Sequence, residues 1–186
     1  MANSKYAQTA LLMDEALLLL LEKKDFEFIT VKEICEKAGV NRSTFYLHYE
    51  NTSDLLAETV SMIHEKFRQA FRDKELRAKD ERFFITPEYL YPFLSFVKEN
   101  KKTLLLTQKK PHLFQNQKAF DKTYCELFSP ILDTYGVPAS EKPYVFEFFT
   151  KGTLAIVIRW LEDGCRDELG FIAELIIRVI GHAEKA

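Results

Sequence analysis

The chain has 186 residues and is 47% hydrophobic, enough for one domain or for a small domain joined to a medium one. Its formal net charge is −2, and the first fifty residues carry six Lys and Arg against eight Asp and Glu, so the broad basic footprint of a nucleic-acid binder is missing. Cys35, Cys125 and Cys165 are odd in number, far apart and without CxxC or Cys/His metal spacing, which reads as reduced thiols in a cytoplasmic protein. The run Ala16 to Leu21 (ALLLLL) is too short, and too charged at its flanks, for a membrane span or a signal peptide.

Taken in chain order, the elements are helical throughout. A first helix is expected from about Ser4 to Lys24, with Ala7, Leu11, Leu18 and Leu21 on one face and Ala10 and Leu17 beside them. Leucines on its other side predict cover from two directions. Thr30 to Glu33 (TVKE) is a capping box that opens a second helix, and Gly39 is its left-handed stop. Val31 and Ile34 face inward there, with Cys35 and Ala38 beside them. Asn41 caps a short third helix, Arg42 to about His48. Asn51 or Thr52 opens a long fourth, through Leu55, Leu56, Val60, Ile63 and Phe67 to about Lys79.

Pro87, at a first-turn position, opens a fifth helix that ends near Asn100. A short helix over Lys101 to Thr107 follows, then one from about Phe114 to Tyr135. The stretch GVPASEKP breaks the chain, and two long helices complete it, Pro143 to Asp163 and Asp167 to about His182. The fold class is therefore all-α.

The segment Val40 to Tyr49 (VNRSTFYLHY) combines one arginine, two hydroxyls, three aromatics and a histidine within ten residues. Two helices joined at Ala38-Gly39-Val40 form a helix-turn-helix, whose second helix enters the major groove leading with its first residues. Arg42, Ser43 and Thr44 then stand on the leading turn and suit base edges and phosphates. Phe45 turns back to Val31 and Ile34, while Tyr46 and His48 flank the exposed side.

Phe28 to Leu56 (FITVKEICEKAGVNRSTFYLHYENTSDLL) resembles the DNA-binding signature of the TetR family of bacterial regulators. The elements that carry the likeness are Thr30, Ile34, Ala38-Gly39-Val40, Ser43-Thr44, Phe45-Tyr46, Tyr49 and Leu55-Leu56. Gly152 to Cys165 (GTLAIVIRWLEDGC) is similar to a subset that shares the NRSTFY turn. Two positions depart from the pattern. Thr52 stands where the family usually has a phosphate-binding Lys, and Asp25, a residue that tolerates a left-handed backbone, stands where it usually has Gly.

The resemblance implies a helix-turn-helix domain over residues 1–50 and a helical effector-binding and dimerisation domain over 51–186. It implies that Thr30, Arg42, Ser43, Thr44, Tyr46, His48 and Thr52 meet a double-stranded DNA operator. An effector pocket is expected among Tyr89, Phe93, Phe96, Phe120, Tyr124 and Phe128, which read equally well as packed core. The dimer interface is expected on the last two helices, at Phe149, Gly152, Thr153, Ile156 and Trp160 and at Ile172, Ile176, Val179 and Ile180. Lys101, Lys102, Lys109 and Lys110 read as a solvated face.

No glycine-rich phosphate loop or GxSxG nucleophile turn occurs, and His64, His112 and His182 lack neighbours at metal spacing, so no catalytic residue, metal or cofactor is expected. The expected protein is a TetR-like repressor, homodimeric, held by an unidentified small-molecule or protein effector and without a membrane partner. Two other readings stand beside it: a co-regulator whose C-terminal domain binds a partner protein, and a helical ligand-binding protein without DNA activity.

Overall fold

The computed structural model describes residues 2–72, 87–114, 129–134 and 136–181. In chain order, α1 is Ala2–Leu21, a 3-10 turn covers Phe26–Phe28, α2 is Val31–Ala38, α3 is Arg42–His48 and α4 is Thr52–Arg72. Then α5 is Pro87–Glu99, α6 Lys101–Lys109, α7 Pro111–Phe114, α8 Ser129–Thr134, α9 Lys142–Glu162 and α10 Leu169–Gly181. Among the described residues there is no strand, and no helix is long and apolar enough to cross a membrane. The expected helix over 114–135 and the far end of the fourth helix fall mostly outside the described residues.

The chain forms two compact units, one of Met1–Ile63 with Leu106–Gln115, the other of His64–Leu105 with Asn116–Ala186. In the first, α1 packs on α2 and α2 on α3. Met13, Ala16, Leu17 and Leu21 of α1 are buried with Ile34, Cys35, Phe45 and Leu55, and Leu106 and Phe114 join the same core. Burying a ring such as Phe45 stabilises by roughly 1.5–3 kcal/mol.

The face of α1 differs from the expected one. Leu11 is 44% exposed, as are Leu12 and Leu19 to a similar degree, so within this chain the helix is covered from one direction. The stripe starts at Met13 instead and carries Asp14 inward with it. Five consecutive leucines give little apolar contrast around the helix, so periodicity alone does not identify the packed side. The Thr59 hydroxyl answers the buried Asp14 carboxylate at 2.6 Å, within reach of the Leu55 carbonyl at 2.8 Å as well.

One further expectation is corrected around the end of α1, and Asp25 there does not use the left-handed backbone that it tolerates. Asp25 is extended (φ −77°, ψ 151°), because the chain runs straight into the 3-10 turn and needs no left-handed residue. Lys110 is not solvated: its Nζ donates to the Lys24 carbonyl at 3.2 Å and to the Asp25 carboxylate. That ammonium holds the Asp25 carboxyl below the usual carboxylate range.

In the second unit α10 packs on α5 and α9. Leu94, Val97, Val157, Trp160, Leu161, Ala173 and Ile176 form its core. The Trp160 indole donates to the Asp167 carbonyl at 3.0 Å, which satisfies its polar end inside that core. Gly164 (φ 85°) and Cys165 (φ 56°) turn the chain between α9 and α10, and the Cys165 amide donates back to the Trp160 carbonyl at 2.9 Å. At Gly170, a Cβ would stand 3.2 Å from the Tyr91 hydroxyl, so glycine permits the close approach of α5.

Candidate nucleic-acid interface

Most side chains of the candidate interface are positioned by short-range signals. At the start of α2 the Glu33 amide donates to Thr30 Oγ1 at 3.3 Å, and the Thr30 amide donates to Glu33 Oε2 at 3.0 Å. This is the reciprocal capping box that the sequence announces. Lys24 Nζ closes the same corner, donating to Glu33 and, at 2.7 Å, to the Phe28 carbonyl. The Lys24 ammonium, with the Thr30 hydroxyl and amide, holds the Glu33 carboxyl at about 2. Thr30 is thereby engaged at the cap while remaining exposed.

Gly39 ends α2 with φ 69°, a conformation that strains any side-chain-bearing residue. Asn41 then caps α3: its Oδ1 accepts from the Thr44 amide at 2.7 Å, the Thr44 hydroxyl at 2.8 Å and the Ser43 hydroxyl at 2.6 Å. With their hydrogens turned to the cap, the two hydroxyls present acceptor lone pairs outward. Phe45 is fully buried, which fixes the roll of α3. Arg42, Ser43 and Tyr46 are exposed as a consequence.

His48 is half-buried because Tyr6 of α1 stacks on it, ring centroids 3.7 Å apart and planes 17° from parallel. The Tyr6 hydroxyl also donates to the Leu47 carbonyl at 3.4 Å. Burial holds the imidazole below its ordinary value of 6.5, with Glu58 opposing the shift. At neutral pH His48 therefore offers a hydrogen bond more than a charge. Sequence reasoning missed Tyr6, which lies 42 residues away and has no local signal. It also missed the exposure of Leu47, which the position of Phe45 on the opposite side of α3 does foretell.

Tyr49 is buried, and burial, reinforced by Asp14 and Glu58, pushes its phenol up. Thr52 occupies the first turn of α4, half-buried. Asn51 precedes it and caps the helix, accepting from the Ser53 amide at 2.8 Å and the Asp54 amide at 3.0 Å. Thr30, Arg42, Ser43, Thr44, Tyr46, His48 and Thr52 all lie on the first compact unit.

The pocket and interface candidates lie on the second unit. Phe93 and Phe96 are half-buried and meet Phe67 edge-on, with centroids 6.1 and 5.9 Å apart. Tyr89 is on α5, its side chain outside the description, and Phe120, Tyr124 and Phe128 lie outside the described residues. Trp160, Ile172 and Ile176 are buried within the chain's own core. Phe149, Gly152, Thr153 and Ile156 are half-buried, and Val179 is 57% exposed. Ile180 is on α10, its side chain outside the description. Tyr144, Phe148 and Phe171 are exposed apolar residues on the same two helices that sequence reasoning did not single out. Among the described residues no group of three or more His, Cys, Asp or Glu is arranged to hold a metal.

Comparison with known proteins bears on both units. Residues 15–59 match the family model described as bacterial regulatory proteins, tetR family, and residues 86–182 match one described as transcriptional regulator C-terminal region. The uncharacterized HTH-type transcriptional regulator YxbF of Bacillus subtilis (strain 168) is 27% identical over 156 residues. That match takes in 80% of this chain and 38% of the relative, so the chain spans well under half of that protein's length. The fold is similar to the fatty acid degradation regulator FadR from Bacillus halodurans, with a TM-score of 0.66 at 19% identity over 94% of this chain and 93% of that one. It is also similar to the dihydroxyacetone kinase operon activator DhaS, with a TM-score of 0.55 at 18% identity over 95% and 96%.

Proposed function

We propose, because the chain belongs to the TetR family of bacterial regulatory proteins, that this transcriptional regulator acts as a cytoplasmic homodimeric repressor on a near-palindromic operator. The single observation that carries the reading is the outward face of α3. Phe45 is anchored in the core, so Arg42, Ser43 and Tyr46 are turned to solvent on a helix of the right length for a groove.

In this reading Arg42 reads a base edge as a forked donor, and Ser43 and Thr44 accept from amino donors on base edges. Thr30, at the amino end of α2, together with Tyr46, His48 and Thr52, contacts the phosphate backbone. One short recognition helix spans too few base pairs for selectivity, so two copies act together and the operator mirrors their two-fold axis. The copies join through α9 and α10, where Phe148, Phe171 and Val179 are exposed beside the half-buried Phe149, Gly152, Thr153 and Ile156.

Control comes from an effector, a small molecule or a partner protein, that binds one spacing of the two DNA heads better than the other. It shifts the population by its differential affinity and by no more. Phe93 and Phe96, with Tyr89, Phe120, Tyr124 and Phe128, are the candidates for its pocket.

The test is selection of bound duplexes from a random pool. Inverted half-sites, with centres a helical turn or a multiple of it apart, are expected. Recovery of no enriched sequence at moderate salt would remove the operator reading.

A further inference from the structure

The outward face of α3 is not wholly polar. Successive residues of a helix are turned by about 100°, so Leu47 lies one turn beyond Ser43 and nearly opposite the buried Phe45. It is 76% exposed, among the most exposed of the large apolar side chains on the described surface, and Tyr46 beside it is 58% exposed. The last turn is held in place there: Tyr6 reaches the Leu47 carbonyl, and the Tyr6 ring covers His48. The leucine side chain is thus set on the side of α3 opposite Phe45, between Ser43 and Thr44, and well round the helix from Arg42.

In the major groove the apolar feature that a base pair offers is the C5 methyl of thymine; the other groups on the base edges are hydrogen-bond donors and acceptors. A leucine surrounded by hydrogen-bonding side chains on this face matches that one feature. We propose that Leu47 is a specificity-determining residue that reads a thymine methyl in each half-site, downstream of the base met by Arg42. The assignment rests on the operator reading above.

The experiment starts from a duplex that the unaltered protein selects from a random pool. Thymines are replaced one at a time by deoxyuridine, which deletes the methyl and keeps every hydrogen-bonding group. Affinities are measured by fluorescence anisotropy at fixed salt for the unaltered protein, Leu47→Ala and Leu47→Met. The expected result is one symmetry-related thymine pair at which deoxyuridine weakens the unaltered protein by about fourfold per half-site, the value of one buried methyl group. Leu47→Ala should bind the parent duplex more weakly and be indifferent to that replacement, whereas Leu47→Met should keep the sensitivity. Equal sensitivity in Leu47→Ala and the unaltered protein, or undiminished binding by Leu47→Ala, overturns the assignment and leaves the operator reading intact. Failure of the unaltered protein to select any duplex overturns both.

Discussion

Arg42 and Thr52 bracket the candidate interface and answer to different physics. Arg42 is exposed on the leading turn of α3. Arg42→Ala should weaken operator binding by about 1–3 kcal/mol if it reads a base, and relax preference at one position, with circular dichroism unchanged. Anisotropy titration against the selected duplex measures both effects. Thr52 supplies a hydroxyl where a cation would add a counterion-releasing contact. Thr52→Lys should steepen the slope of log affinity against log salt by about one unit. An unchanged slope would mean that the amino end of α4 stands off the backbone. The Arg42 and Thr52 predictions both start from identities legible in the sequence, because motif residues sit within a few positions of the caps that orient them. The setting of His48 was not legible. Its ring is covered by Tyr6 across 42 intervening bonds of chain, and no spacing rule connects two such positions.

At the scale of the element, α2 depends on one corner. Thr30, Glu33 and Lys24 share a compact set of hydrogen bonds, so loss of the cap hydroxyl in Thr30→Ala should cost about 1 kcal/mol of stability, read from urea denaturation. The same corner gives a pH dependence. The folded Glu33 carboxyl is held at about 2 against an ordinary 4.5. Because the folded value is depressed, the contribution is fully present above about 4.5 and is lost as pH falls toward 2. Stability of the chain should therefore decline across that window, and Glu33→Gln should flatten the decline. A variant whose stability falls as steeply as the parent's would exclude this corner as the source. Elements as such were largely readable: the Thr30 box, the Gly39 stop and the Asn41 cap are each encoded within four residues. What periodicity could not supply was orientation where contrast was low, as in the leucine run of α1, or tethering across long separations, as for Lys110 and Asp25, 85 residues apart.

At the scale of the whole molecule, assembly is the point on which the proposed function turns. Ile176 is fully buried against α5 and α9, so Ile176→Asp should unfold the second unit, an unpaired carboxylate in a core being costly. Val179 is exposed on the same helix. Val179→Asp should instead keep the helical signal, split the dimer in sedimentation at micromolar concentration and abolish binding to the full operator. A Val179→Asp protein that still sediments as a dimer moves the joining surface away from this part of α10.

The single tryptophan of the chain has a practical consequence of its own. Trp160 is 2% exposed and bonded to Asp167 in the core of the second unit, and the first unit contains no indole. Its emission therefore reports the melting of one unit, while far-ultraviolet ellipticity reports both. Urea midpoints that differ between the two signals would show the units melting separately, and coincident midpoints a single cooperative transition. With separate transitions, a compound that binds the second unit at a hundred times its dissociation constant delays the emission change by about 2.7 kcal/mol. Candidate effectors can then be ranked by the colour of one indole, before any promoter is known.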